Sequence, residues 1–131
     1  MMDAAEEQRM LEEKVGKALE EARTKLDAAL DVLSNAGAEP VKKVWSAEEA
    51  AEYSSLLYSL TYGLEDEDPR VPVRKRNAEP LPLVKESSES LRYATELRGK
   101  SSLEGYRNLR TAVYKLRQAH YILEKAGAKK R

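Results

Sequence analysis

LEEARTKLDAALDVLSNAGA (residues 19–38) and LRTAVYKLRQAHYILEKAGA (residues 109–128) decide the fold between them. Slid over one another by 90 positions, they share nine identities in twenty: Leu19/Leu109, Ala22/Ala112, Lys25/Lys115, Leu26/Leu116, Ala29/Ala119, Leu33/Leu123 and the Ala-Gly-Ala of 36–38 and 126–128. Leucine recurs every seven residues, and alanine recurs every seven residues three places behind it. That is the apolar seam of a helix, and alternating a large with a small residue lets helices approach closely. Both stretches are therefore read as amphipathic helices with matching seams.

Working outward, four helices are predicted from start and stop signals. The first runs from Ala4 to Ala36, with a capping box at Asp3 and Glu6 and with Gly37 behind it. The second runs from Ala47 to Tyr62, opened by Ser46 and Glu49 and closed by Gly63. The third spans Ser87 to Arg98 before Gly99. The fourth spans Ser102 to Ala126, with Ser101 and Glu104 at its head and Gly127 at its tail. Capping boxes satisfy the first free N–H groups, and a glycine accepts the left-handed turn at the end. Between the second and third helices lies LEDEDPRVPVRKRNAEPLPLVK (64–85), which holds four of the five prolines. Proline fixes φ and removes a donor, so the segment reads as extended. The expected fold is all-α: four helices as two helical hairpins, an acidic one over 1–63 and a basic one over 86–131. A long proline-rich basic linker over 64–85 joins them.

The chain has 131 residues, 23 basic and 23 acidic, no cysteine and one histidine. Disulfide and thiolate chemistry are thereby excluded, and so are metal sites built from several histidines. No apolar run approaches the ~18 residues that a membrane span needs. The acidic opening MMDAAEEQRMLEEK lacks the apolar centre of a signal peptide and reads as unexported and unprocessed. Scarce Asn and Gln beside abundant Lys, Arg and Glu are typical of thermophile proteins. The neutral total hides a division. Residues 1–68 carry 7 basic and 17 acidic side chains, a balance of −10, and residues 69–131 carry 16 and 6, a balance of +10. Such asymmetry points either to two surfaces with different partners or to two halves that neutralise one another within one fold.

On the fourth helix Arg107, Arg110, Tyr114, Arg117 and Tyr121 fall three or four apart and form one stripe opposite the seam. Arginine forks with interleaved tyrosines suit contact with phosphates. The alternative is a solvated face, or a surface pairing with the stripe Lys17, Glu20, Thr24, Asp27 and Asp31 on the first helix. Arg70, Arg74, Lys75 and Arg76 of the linker and Lys129, Lys130 and Arg131 at the end add two basic clusters. No Asn or Gln stands where the stripe would read a base, so binding through it would be to backbone and shape. On the second helix Tyr53, Leu56, Leu57, Tyr58, Leu60 and Tyr62 cover more than half the circumference, as on a central helix or one that meets another subunit. Trp45, just ahead of the expected start, reads as a hydrophobic staple or an interface anchor. Trp45, Tyr53, Tyr58 and Tyr62 are the expected subunit contacts.

No motif of a hydrolase, nucleotide-binding loop or di-metal site occurs, and His120 sits beside the seam as a packed residue. The carboxylates of the first helix spread over its solvated sides, without the sheltered pocket that acid–base catalysis needs. A non-enzyme with no cofactor, no metal and no small-molecule substrate is expected. The plan of two small helical hairpins around a basic, proline-rich segment, with thermophile composition, resembles the major coat (capsid) proteins of filamentous double-stranded DNA viruses of hyperthermophilic archaea. The resemblance covers the whole chain in architecture and size. It implies paired subunits that wrap A-form duplex DNA in a virion assembled in the host cytoplasm. Arg70, Arg74, Lys75, Arg76, Arg107, Arg110 and Arg117 would then touch phosphates, and the first two helices would make the subunit contacts. A cytoplasmic helical adaptor, using its acidic and basic halves for protein–protein association, is the other expectation.

Overall fold

The computed structural model describes residues 3–64 and 78–129. They form four helices, α1 (Ala4–Ser34), α2 (Pro40–Tyr62), α3 (Pro80–Leu97) and α4 (Ser102–Lys129), with no strand among the described residues. The all-α expectation of two hairpins holds: α1 packs on α2 and α3 packs on α4. The hairpins then close on each other, α2 against α4 and α1 against α3. The helices thus stand in the ring α1–α2–α4–α3, which leaves α1 and α4 on one diagonal.

Each neighbouring pair is antiparallel. Gln8 of α1 donates to the Thr61 carbonyl of α2, Glu52 of α2 meets Arg110 of α4, the Ser87 hydroxyl of α3 donates to the Ala112 carbonyl of α4, and Arg98 reaches Glu12 of α1. Hence α1 and α4 run one way and α2 and α3 the other. α1 and α4 are therefore parallel across the diagonal, and their matching seams both face inward. Leu19, Ala22, Leu26 and Ala29 face the axis from one corner, and Leu109, Ala112, Leu116 and Ala119 face it from the opposite one; all are buried. α2 and α3 are parallel, so Tyr62 and Pro80 stand at opposite ends of the bundle, roughly 27 Å apart along an 18-residue helix.

Several boundaries differ from those the sequence suggests. α3 starts at Pro80, seven residues early, so Pro80–Lys85 belong to the helix and not to the linker. Proline in a first turn loses no helical hydrogen bond, because those N–H groups have no partner there, and its φ is already helical. α2 likewise starts at Pro40, behind a left-handed Glu39 with no side-chain cap. Ser46 is therefore inside the helix, and Trp45 lies in its second turn rather than ahead of it. The expected cap at Asp3 is present, its carboxylate accepting from the Glu6 N–H at 2.8 Å. Gly63 takes the left-handed turn at φ 62°. After α1 the left-handed residue is Ala36, φ 49°, and not Gly37. Gly127 does not end α4, which continues to Lys129.

Two glycines let the hairpins close. A Cβ at Gly105 of α4 would collide with the Tyr58 hydroxyl, and one at Gly16 of α1 would press on the Arg98 guanidinium at 3.3 Å. Arg98 uses that gap to donate to the Glu12 carbonyl at 2.7 Å. Among the described residues, no helix is long and apolar enough to cross a membrane.

Candidate functional site

The face shared by α2 and α4 gathers several of the residues singled out from the sequence. At the seam between them lies an ionic ladder. Arg110 is only 15% exposed; its Nη1 donates to Glu52 Oε1 and to Ser55 Oγ, both at 3.1 Å, and its Nη2 donates to the Tyr114 hydroxyl at 3.2 Å. Burial works against its charge, but the hydrogen bonds to Tyr114 and Glu52 outweigh that and raise its pKa. Arg117 donates from Nη2 to Glu52 Oε2 at 2.7 Å and sets Nε 3.4 Å from Glu48 Oε1. The Arg110 and Arg117 guanidinium carbons lie 5.0 and 5.7 Å from the Tyr114 ring centre. His120 completes the ladder, Nδ1 2.9 Å from Glu48 Oε2 and Nε2 3.2 Å from Glu124 Oε1.

This placement corrects the sequence reading of the stripe. Arg110 and Arg117 do not face outward as bare cations. They bridge to α2, whose Glu48 and Glu52 take the role that the alternative reading gave to α1. The stripe Glu20, Asp27 and Asp31 of α1 is exposed on the far side of the bundle, because α1 and α4 are diagonal. Of the predicted contacts, Arg107 and Tyr121 stay exposed; Arg107 pairs with Glu104 one turn away at 3.2 Å, and Lys125 lies over the Tyr121 ring at 4.9 Å. Arg70, Arg74, Lys75, Arg76, Lys130 and Arg131 lie outside the described residues, as does the side chain of Lys129.

Beside the ladder α2 turns outward a row of large apolar side chains: Trp45 (46% exposed), Tyr53 (56%), Leu56 (57%) and Leu60 (67%). Their spacings of eight, three and four put them on one stripe. Trp45, Tyr53 and Leu56 line a shallow groove with Glu48, Glu49, Glu52 and Arg117. The other two aromatic residues expected at a subunit contact are placed inward. Tyr58 is fully buried and packs on Tyr62 and Tyr106 with ring centres 4.9 and 6.4 Å away. Burial pushes the Tyr58 hydroxyl up to about 12 and raises that of Tyr62. Tyr58 therefore belongs to the core. Leu56 and Leu60 were visible as apolar residues but not as surface ones. The signal was the three-then-four spacing of Tyr53, Leu56 and Leu60, in phase with Trp45 once the helix is started at Pro40.

No group of three or more His, Asp or Glu side chains is set to hold a metal ion among the described residues. No protein-family model, curated protein or solved structure matches this chain.

Proposed function

We propose that the chain is a structural subunit that associates with protein through the outer face of α2. One observation carries the reading: four large apolar side chains, each about half exposed or more, share one stripe of a helix that already packs on two neighbours, with Tyr53, Leu56 and Leu60 on successive turns and Trp45 beyond Glu49. Isolated surface leucines are ordinary, whereas several large apolar residues on one stripe beside charged groups are how a binding face looks. The charge division is used within the fold, where Glu48 and Glu52 of the acidic hairpin pair with Arg110 and Arg117 of the basic one, so the apolar stripe and not the charge carries the reading.

Sedimentation velocity over a range of concentrations tests this. Assemblies above the 14.8 kDa monomer should form and should vanish in a Leu56→Glu/Leu60→Glu variant that keeps its helical signal and unfolds cooperatively. Assembly that persists in the variant sinks the reading.

Packaging of duplex DNA in a virion, through the phosphate backbone, is the second reading, and the exposed Arg107 and the Lys125–Tyr121 pair favour it. It requires Arg110 and Arg117 to exchange Glu52 and Glu48 for phosphates, so the hairpins have to part. Fluorescence anisotropy on a random-sequence duplex separates the two. Binding that weakens with a log–log salt slope of about −0.9 per phosphate contact, and weakens further in Arg107→Glu, would carry the second reading. No binding at low salt leaves protein association alone.

A further inference from the structure

We infer that His120 is a proton-dependent clasp: with its ring charged it ties the N-terminal half of α2 firmly to α4, and with its ring neutral that end is held more loosely. The inference goes beyond the association reading and stands without it.

The geometry of the ring makes the case. Nδ1 lies 2.9 Å from Glu48 Oε2 on α2, and Nε2 lies 3.2 Å from Glu124 Oε1 on α4 itself. Both nitrogens therefore face carboxylate oxygens, which only accept hydrogen bonds. An imidazolium carries an N–H on each nitrogen and donates to both. A neutral imidazole has a single N–H, so it sets a lone pair against one of the two carboxylates. Whichever nitrogen keeps the proton, the charged bond between the helices is lost. It survives as a neutral one, about half as strong, or Glu48 meets the lone pair. Water does little to screen the change, because ring and Glu48 carboxylate are only 20% and 17% exposed.

The surroundings fix where the loosening is felt. His120 is the last rung of the ladder, one turn past Arg117, and borders a cleft with Pro40, Val41 and Trp45 of α2. Glu39 and Lys42 line the same cleft, and Arg117 sets its Nε 3.4 Å from Glu48. No charged side chain of α1 or α3 lines it among the described residues. Glu39 favours a charged ring and Lys42 and Arg117 disfavour it, so the two carboxylates in contact with the nitrogens decide the balance. Arg117 also holds Glu52, so the middle of the ladder keeps its bonds and only the Trp45 end yields. Trp45 belongs to the outer stripe of α2. The charge of one ring thus governs how firmly one end of that stripe is held.

The chain has one histidine, one tryptophan and no cysteine, so the difference between wild type and His120→Gln isolates this ring, and Trp45 reports on the end it holds. The sign follows from the hydrogen bonds: the contribution of the clasp is present at the acidic end of the histidine range and is lost as pH rises. From about pH 5.5 to 8, within which a histidine changes charge, the wild-type melting temperature should fall by roughly 3–6 °C relative to His120→Gln. Acrylamide quenching of Trp45 should rise over the same range and stay level in His120→Gln. Glu48→Gln should remove most of the step, because the acceptor on α2 is then uncharged. In the wild type, which needs no substitution, the ring Nδ1–H should exchange slowly enough to be seen by proton NMR at the acidic end. No step, a step of opposite sign, a step that Glu48→Gln leaves whole, or an Nδ1–H lost to fast exchange at the acidic end overturns the clasp. A melting step with level Trp45 quenching confines the effect to α4 and overturns the tie to α2.

Discussion

α2 and α4 lie side by side and treat their side chains in opposite ways. α4 buries its large residues, Leu109, Val113 and Leu116, and shows water Arg107 and Arg117. α2 buries mostly small or weakly polar ones, Ala47, Ala51, Ser54 and Ser55, and shows Trp45, Tyr53, Leu56 and Leu60. The inward serines are not a burden: Ser54 donates to the Ala50 carbonyl at 2.9 Å, and Ser55 accepts from Arg110. Small inward residues suit close packing of α2 on both neighbours, and Tyr58 is the one large side chain of α2 that is fully buried. Hydrophobicity by itself thus does not choose the buried face of a helix; the width of the space on offer does. A helix packed this way keeps apolar area in reserve for a partner.

The sharpest way to break this contrast is to cut one tyrosine from each side of α2. Tyr58→Ala, emptying a fully buried site, should lose about 3–5 kcal/mol in denaturant unfolding. Tyr53→Ala should stay within about 0.5 kcal/mol in the monomer. If the two losses are alike, the inward and outward assignments are wrong. Tyr58→Phe sharpens the point. The buried Tyr58 hydroxyl has no hydrogen-bond partner among the described residues, so removing it should be neutral or stabilise by up to ~1 kcal/mol.

Next in size is alkaline unfolding. The Tyr58 hydroxyl resists ionisation to about 12 when folded, whereas an unfolded tyrosine ionises near 10. Between these values the folded chain holds the proton that the unfolded chain has lost. Stability is therefore fully present below pH 10 and declines as pH rises through 12, by ~2 kcal/mol for this group. A pH series of melting curves on the wild type and Tyr58→Phe checks it: the variant should lose less across that window.

Gly105→Ala should cost about 1–3 kcal/mol, because the added methyl meets the Tyr58 ring system inside a filled core. In Gly105→Ala/Tyr58→Ala that penalty should disappear, a coupling readable from a double-mutant cycle.

The ladder and the outer stripe of α4 give the smallest pair of effects. Glu52→Gln leaves Arg110, 15% exposed, with a weaker acceptor and should cost about 1–2 kcal/mol. Glu104→Gln, which disturbs only the exposed pair with Arg107, should move the melting curve by less than ~0.5 kcal/mol. Equal effects would mean that the two arginines are equally solvated, and would return Arg110 to the outward stripe.

The sequence by itself determined the four helices, their pairing as hairpins and the inward seams of α1 and α4. Those features depend on local capping and on a seven-residue apolar repeat, both short-range. It also pointed to Trp45 and Tyr53 at the surface of α2. Two things were misread from local signals, because proline and serine serve both as breakers and as first-turn residues: α3 began at Pro80 and α2 at Pro40. Only the tertiary structure decided which helix stands beside which. That arrangement turned Arg110 and Arg117 from free cations into partners of Glu48 and Glu52, and it drew Tyr58 inward while leaving Leu56 and Leu60 outside. Residues 52 and 110, or 48 and 117, come together only when the ring of helices closes, and no local pattern records the order of that ring.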